Sequence, residues 1–307
     1  MTRQPRVWVS GAEGQLGFEL VRALQGRAEI IATNRTDVDL ANADSISQFV
    51  RATQPDLIFN PAAYTAVDKA ESEPDLAMAV NGIAPGVIGE EARKLGAPVV
   101  HFSTDYVFDG TSTVPYKETD ATNPQSVYGR TKLAGEIALA QSGATFLIFR
   151  TSWLYAARGK NFFLTMLRLA REREELRVVA DQIGSPTWVR PVADAAVAVI
   201  DWNKLGAAIE PGLYHLAAAG QTSWHGFAEA ILRTVPDPER KATRVAAITT
   251  ADYPTPARRP GFSVLDGGKW GTVQRGIGIA AIGDWRSCLR RCAQEAPPAH
   301  CGKSRSA

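Results

Sequence analysis

Val7-Trp8-Val9-Ser10-Gly11-Ala12-Glu13-Gly14-Gln15-Leu16-Gly17 is the stretch on which the fold is read. Three apolar residues make a short strand. The spacing of Leu16, Leu20 and Leu24 puts one apolar face on a helix over 15–24. Between them stand three glycines in the pattern G-x-x-G-x-x-G. Glycine allows a tight turn and a close approach of backbone to pyrophosphate. The helix start adds unpaired N–H groups and a partial positive charge. The spacing is not the commoner G-x-G-x-x-G, and taken alone it reads equally as a loop cluster without a ligand. Its place between strand and helix is what a dinucleotide site requires. Gly11, Gly14, Gln15, Leu16 and Gly17 are therefore candidate cofactor-binding residues.

The same alternation continues outward. Apolar runs over 29–33, 57–59, 98–102 and 146–150 read as strands, and helical patterns fall at 45–53, 76–95 and 128–141. The runs are apolar almost throughout, as in parallel strands covered on both faces. Residues 1–153 thus form an NAD(P)-binding domain in an α/β, Rossmann-type doubly wound parallel sheet. Beyond Arg150 the regularity weakens. Helices are expected over 161–174, 192–202, 224–232 and 285–292, and a short strand over 213–216. A strand near 176–180 is expected to return to the main sheet. The Pro-, Thr- and Arg-rich stretch 236–260 reads as irregular. Residues 154–295 are then mainly a smaller C-terminal substrate-binding domain, with a disordered tail over 296–307.

Composition narrows the partners. Of 307 residues, 45% are apolar and 21% charged, enough for a substantial core. Lys and Arg total 34 against 32 Asp and Glu, so the net +2 gives no electrostatic reason to expect nucleic acid or a membrane surface. No apolar run approaches the roughly 20 residues of a membrane span. The polar start Met1-Thr2-Arg3-Gln4 leads straight into a strand without a signal peptide, so a cytoplasmic protein is expected. Cys288, Cys292 and Cys301 all lie near the C-terminus and could not staple the main fold, which fits a reducing compartment. With His300 they lack the tight paired spacing of a structural zinc site.

The end of strand two reads Ile31-Ala32-Thr33-Asn34-Arg35. A carboxylate there would accept from a ribose 2′-hydroxyl, whereas Arg suits a 2′-phosphate. Asn34 and Arg35 point to NADPH ahead of NADH, the alternative being a solvated loop arginine. Asp39 and Leu40 are expected beside the adenine. Ala62, Ala63 and Tyr64, after strand three, are expected to border the phosphates and ribose.

Tyr128 and Lys132 stand four residues apart on a helix, hence one turn apart on one face. A phenol is a poor acid–base group at neutral pH, and a nearby ammonium lowers its pKa. Tyr128 could then protonate a carbonyl oxygen as hydride reaches the carbon, with Lys132 holding the nicotinamide ribose. Alone, this pair reads more readily as a surface Tyr and Lys. The strand-four end His101-Phe-Ser103-Thr104-Asp105-Tyr106 changes that, because ligands bind at that edge of a doubly wound sheet. A Thr104 hydroxyl there can bond a substrate carbonyl, while Ser103 reads equally as a loop cap.

Glycine turn, strand-end Ser-Thr and Tyr-x-x-x-Lys, in this order, resemble the extended short-chain dehydrogenase/reductase superfamily. Longer strings resemble the dTDP-4-dehydrorhamnose reductases: Asn60-Pro-Ala-Ala-Tyr-Thr-Ala-Val-Asp-Lys-Ala-Glu-Ser-Glu-Pro74, Ser103-Thr-Asp-Tyr-Val-Phe-Asp-Gly110, Val127-Tyr-Gly-Arg-Thr-Lys-Leu-Ala-Gly-Glu136, Arg150-Thr-Ser-Trp-Leu-Tyr155 and Asp181-Gln-Ile-Gly-Ser-Pro-Thr187. The likeness spans roughly residues 5–290. It implies reduction of the C4 ketone of a dTDP-linked 4-keto-6-deoxy sugar to give dTDP-L-rhamnose. It implies Tyr128 as proton donor, Lys132 as its cofactor-bound partner, Thr104 at the carbonyl, and Val67, Thr104, Asp105 and Trp153 around the substrate. Trp153 has the apolar area to pack on a sugar, and equally that of a core tryptophan. Some members dimerise through magnesium held by carboxylates. Gln15 and Trp188-Val-Arg190 supply no such cluster, so no metal is expected, and the chain is expected to be a monomer or homodimer. Phe262 stands where the family segment usually carries Asn. Two other readings use the same scaffold. An epimerase or dehydratase would retain NAD, and Tyr106 after Asp105 departs from the paired acids of a dehydratase. A non-catalytic regulatory subunit would need no catalytic set.

Overall fold

The computed structural model describes residues 3–201 and 209–295. The expected tail over 296–307, with Cys301 and His300, lies outside the described residues, as does Trp202 at the end of the predicted 192–202 helix.

The first half winds as the sequence implies. It runs β1 (Arg6–Val9), α1 (Gln15–Leu24), β2 (Glu29–Ala32), α2 (Ala43–Thr53) and β3 (Leu57–Asn60). Two short helices follow, α3 (Val67–Ala70) and α4 (Pro74–Met78). Then come α5 (Ala84–Leu95), β4 (Val99–Thr104), α6 (Val127–Gln141) and β5 (Phe146–Thr151). The helix expected over 76–95 is broken by a π turn at Ala79–Ile83, where Asn81-Gly82 interrupts the pattern.

Past β5 come β6 (Leu154–Tyr155), α7 (Phe162–Glu172), β7 (Glu175–Val179), β8 (Ile183–Gly184), β9 (Thr187–Trp188) and α8 (Val189–Val197). The described chain ends with β10 (Gly212–His215), β11 (Thr222–Ser223), α9 (Trp224–Thr234), β12 (Arg244–Ile248), α10 (Gly268–Gly276) and α11 (Trp285–Ala293).

The main sheet is parallel and ordered β10-β5-β4-β3-β1-β2. Two expectations change. The strand near 176–180 does not return to this sheet. β7 pairs in parallel with β12 in a separate ladder, and the sixth place beside β5 goes to β10. β12 also lies inside the stretch read as irregular. Its Val245-Ala-Ala-Ile248 run is short and flanked by charged and turn residues, which hid it from a composition reading.

Strand residues alternate between two apolar layers. Val7, Val9, Phe59, Val100, Phe102, Leu147 and Phe149 face α1, α8 and the C-terminal region, meeting Leu16, Leu20, Val189 and Val192. Trp8, Ile58, Val99 and Ile148 face the other way, onto Ile46, Val50, Ile88 and Leu139 of α2, α5 and α6. Among the described residues no helix is long and apolar enough to cross a membrane.

β5 is fastened to α6 by a buried ion pair. Arg150 Nε and Nη2 donate to Glu136 Oε1 and Oε2 at 2.9 and 2.7 Å. Removing one partner strands the other charge in the interior. Arg150→Met should therefore cost about 3–5 kcal/mol of stability, read from urea denaturation, and adding Glu136→Leu should recover most of it. A single variant within about 1 kcal/mol of the parent would contradict this account.

Candidate active site

The sheet order reverses between β1 and β3, so the loops leaving their carboxyl ends part and leave a crevice. A cleft of about 800 Å³ lies there. Every candidate residue read from the sequence lines it. Gly11, Gly14, Gln15, Leu16 and Gly17 come from the β1–α1 turn, and Asn34, Arg35, Asp39 and Leu40 from the segment after β2. Ala62, Ala63, Tyr64 and Val67 follow β3, Thr104 and Asp105 end β4, Tyr128 and Lys132 lie on α6, and Trp153 follows β5.

The turn is shaped for close approach. Gly11 has φ +59°, and a Cβ there would stand 2.9 Å from Ala62 Cβ. A Cβ at Gly17 would stand 2.2 Å from Gly11 O, so this helix residue must also be glycine for the turn to fold back on α1. No side chain caps the start of α1, and no acidic residue lies in its first turn. Its leading N–H groups therefore remain available to an anion in the cleft, and the cradle fits a pyrophosphate.

At the other end, α6 delivers the phenol and the ammonium. Ser126 Oγ caps the helix by accepting from Gly129 N at 3.1 Å, and Glu71 Oε1 accepts from Val127 N at 2.8 Å. Lys132 is buried, and its Nζ donates to Phe102 O at 2.6 Å and lies 3.4 Å from His101 Nε2. Burial pulls the ammonium down to about 8, opposed by the Glu136 carboxylate. Burial likewise pushes Tyr128 up to about 12, opposed by a hydrogen bond with Thr104. The lowering expected from Lys132 therefore does not set the phenol pKa. Desolvation, with the nearby Asp105 carboxylate, holds the phenol high, and it keeps its proton.

Thr104 links the group. Its Oγ1 donates to Asp105 Oδ1 at 3.0 Å and accepts from Tyr106 N at 3.2 Å. Asp105 is buried, which pushes its carboxyl up to about 6, while bonds from Ser263, Ser152 and Thr104 pull the other way. Ser152 Oγ donates to Asp105 Oδ2 at 3.0 Å.

Several contributors escaped the sequence reading. Glu13 lines the same cleft as Arg35, and Asn34 Nδ2 donates to its Oε1 at 3.1 Å. A carboxylate therefore does stand beside Asn34 at the end of β2, supplied by the glycine turn rather than by β2 itself. Asn81, on the π turn, accepts from Tyr64 N and donates to Tyr64 O and Thr131 Oγ1, so it ties the loop after β3 to α6. An Asn-Gly inside a helical pattern was its only signal. Trp224, Lys160 and Asn161 line the cleft from the C-terminal half, and Gln15 Oε1 accepts from Asn161 Nδ2 at 2.8 Å. Phe262 does not line the cleft. It packs beside Tyr116, and Ser263 beside it reaches Asp105.

Comparison with known proteins agrees with this geometry. The family described as RmlD substrate binding domain matches residues 5–297. A dTDP-4-dehydrorhamnose reductase of Burkholderia thailandensis is 46% identical over 94% of this chain and 98% of its own length. One from Escherichia coli K12 is 45% identical over 93% and 96%. A Bacillus anthracis dTDP-4-dehydrorhamnose reductase solved in complex with NADP superposes with a TM-score of 0.86 at 35% identity, covering 95% of this chain and 99% of that one. A Thermus thermophilus UDP-glucose 4-epimerase shares the fold, at 19% identity and a TM-score of 0.78.

Two glycine variants separate cradle from turn. Gly17→Ala, whose methyl group would meet backbone, should weaken NADPH binding by at least about tenfold in a fluorescence titration. Gly14→Ala, where the nearest atom is 3.1 Å away, should weaken it less. Equal effects would contradict the packing described.

Proposed function

Since the chain belongs to the dTDP-4-dehydrorhamnose reductase family, we propose that it reduces the C4 ketone of dTDP-4-dehydro-β-L-rhamnose to dTDP-β-L-rhamnose with NADPH, Tyr128 supplying the proton. The observation that carries this reading is a half-buried phenol kept protonated one helical turn from a buried ammonium, at one end of a cleft whose other end is a pyrophosphate cradle.

When bound, the nicotinamide supplies the hydride. The residues of the chain handle the proton and the geometry. As the carbonyl oxygen gains charge, the Tyr128 O–H bond breaks and its proton passes to that oxygen. A phenol held near 12 is a donor throughout the neutral range. Thr104 carries a hydroxyl rotor, and turning it from Asp105 to the substrate oxygen breaks only that one bond. Lys132, fixed to the Phe102 carbonyl, brings positive charge to the ribose side and favours the phenolate that remains.

The NADP-bound relative supports NADPH as the coenzyme. Arg35 supports it at the 2′ position, and Glu13, bonded to the neighbouring Asn34, tempers the preference over NADH. Residues 1–153 serve the cofactor and residues 154–295 mainly the sugar nucleotide. Trp224, lying on Trp153 in the cleft, supports that division, and Asn161, bonded to Gln15, joins the two parts.

Purified protein should oxidise NADPH only when dTDP-4-dehydrorhamnose is present, and absence of turnover would sink the reading. Tyr128→Phe should lower kcat by about 10²–10⁴ with little change in KM. The pH profile of kcat/KM should fall on both sides. As pH drops through about 6, Asp105 gains a proton and no longer orients Thr104. As pH rises through about 8, Lys132 loses its charge. Lys132→Arg should remove the basic limb from that region, because guanidinium does not titrate there.

A further inference from the structure

Trp153 is held in its place by a construction that the reaction described above does not explain. Its backbone is left-handed, with φ +47°, one of two non-glycine residues so placed among those described. A bulky side chain rarely adopts this conformation, so the surroundings must impose it. The turn carries the indole off the end of β5 and across to the C-terminal region. There it lies against Gly184. A Cβ at that position would come within 2.4–2.7 Å of indole atoms Cε2, Nε1 and Cζ2. On Trp153 lies the ring of Trp224, with centroids 3.5 Å apart and planes 4° from parallel.

One small ladder sets both neighbours. β8 and β11 pair antiparallel with Thr222 opposite Gly184 and Ser223 opposite Ile183. The strand that supplies the glycine is thus paired with the two residues that precede Trp224. Ser223 then caps α9 by accepting from Gly226 N at 3.0 Å, which fixes Trp224 at the first helical position. Behind Trp224 stands Phe162, with centroids 4.6 Å apart, and Phe162 stacks on the buried Phe227. Aromatic rings left to themselves prefer offset or edge contacts to a full face-to-face overlap. The overlap of the two indoles is therefore set by the backbones that carry them. Both indoles line the cleft.

We infer that Trp224 is a positioning residue for the sugar. It acts through Trp153, clamping that indole between its own ring and Gly184 so that an edge of it is fixed on the substrate side of Tyr128. The ligand class is a deoxyhexose ring, whose C–H positions meet that indole edge while its hydroxyls and ketone turn to Thr104, Asp105 and Tyr128. The inference rests on the proposed reduction of a nucleotide-linked keto sugar. It adds that the C-terminal region contributes to sugar affinity through this ring pair and leaves the cofactor cradle untouched.

Trp224→Ala should raise the KM for dTDP-4-dehydrorhamnose by about tenfold and leave the KM for NADPH within about twofold of the parent. It should also abolish the far-ultraviolet exciton couplet of two stacked indoles. Trp224→Phe should restore most of the sugar KM without restoring the couplet. Gly184→Ala displaces Trp153 from its other side with Trp224 intact, so it should reproduce the sugar-selective rise even if Trp224→Ala fails to fold. A sugar KM unchanged in both Trp224→Ala and Gly184→Ala, or a rise shared equally by NADPH, would overturn the inference and leave the proposed reaction standing. Absence of turnover by the unaltered chain would overturn both.

Discussion

An ammonium held out of water is the constraint around which this site is arranged. Lys132 is only 2% exposed, and its charge has lost its hydration. Such burial is unfavourable unless fixed partners replace the water. The carbonyl of Phe102 replaces part of it, and the Glu136 carboxylate on the same helix adds a longer-range attraction. Glu136 in turn is held by Arg150 of β5. One buried charge therefore enlists β4, β5 and α6 and sets the position of α6 over the sheet edge. The same dry surroundings keep Tyr128 protonated, so the cation and the proton donor share a physical cause.

The helix bearing these groups is held at several other points, all polar and local. Ser126 caps it, Glu71 meets its first N–H, and Asn81 reaches Thr131 from the π turn. A π turn is an inserted residue in a helix, and here it swings an amide side chain between two backbones that no regular helix would bridge. The loop after β3 gains its shape from the same side chain. Cofactor-side and proton-side elements are in this way joined through buried hydrogen bonds rather than through the apolar layers alone.

Much of this was legible from residue patterns. The β1–α1 turn, the strand ends and the Tyr128–Lys132 spacing follow from short-range rules, and so does the parallel sheet built from them. What failed were questions of partnership. Leu176–Val179 is apolar and strand-like, but no periodicity says which strand it will join, and it joined Arg244–Ile248 instead of the main sheet. Glu13 was hidden for a similar reason. It lies 21 residues from Asn34 in sequence, and only the parallel register of β1 and β2 brings them side by side. Trp224 carries no motif, and its role depends on a ladder of two residues per strand.

The protonation state in which each group meets the substrate follows from what burial does to it. Desolvation acts against charge of either sign, so it raises Asp105, raises Tyr128 and lowers Lys132 together. A site that took protons from an alcohol would need a phenolate before substrate arrived. Here the phenol instead holds its proton, as a donor to a carbonyl oxygen must. Lys132 sits low enough to exchange its proton near neutrality, whereas an exposed lysine would hold its proton to a pH of about 10. Pattern placed Tyr128 and Lys132 one turn apart. Burial, which no spacing rule reveals, makes the first an acid and the second a cation able to change its charge.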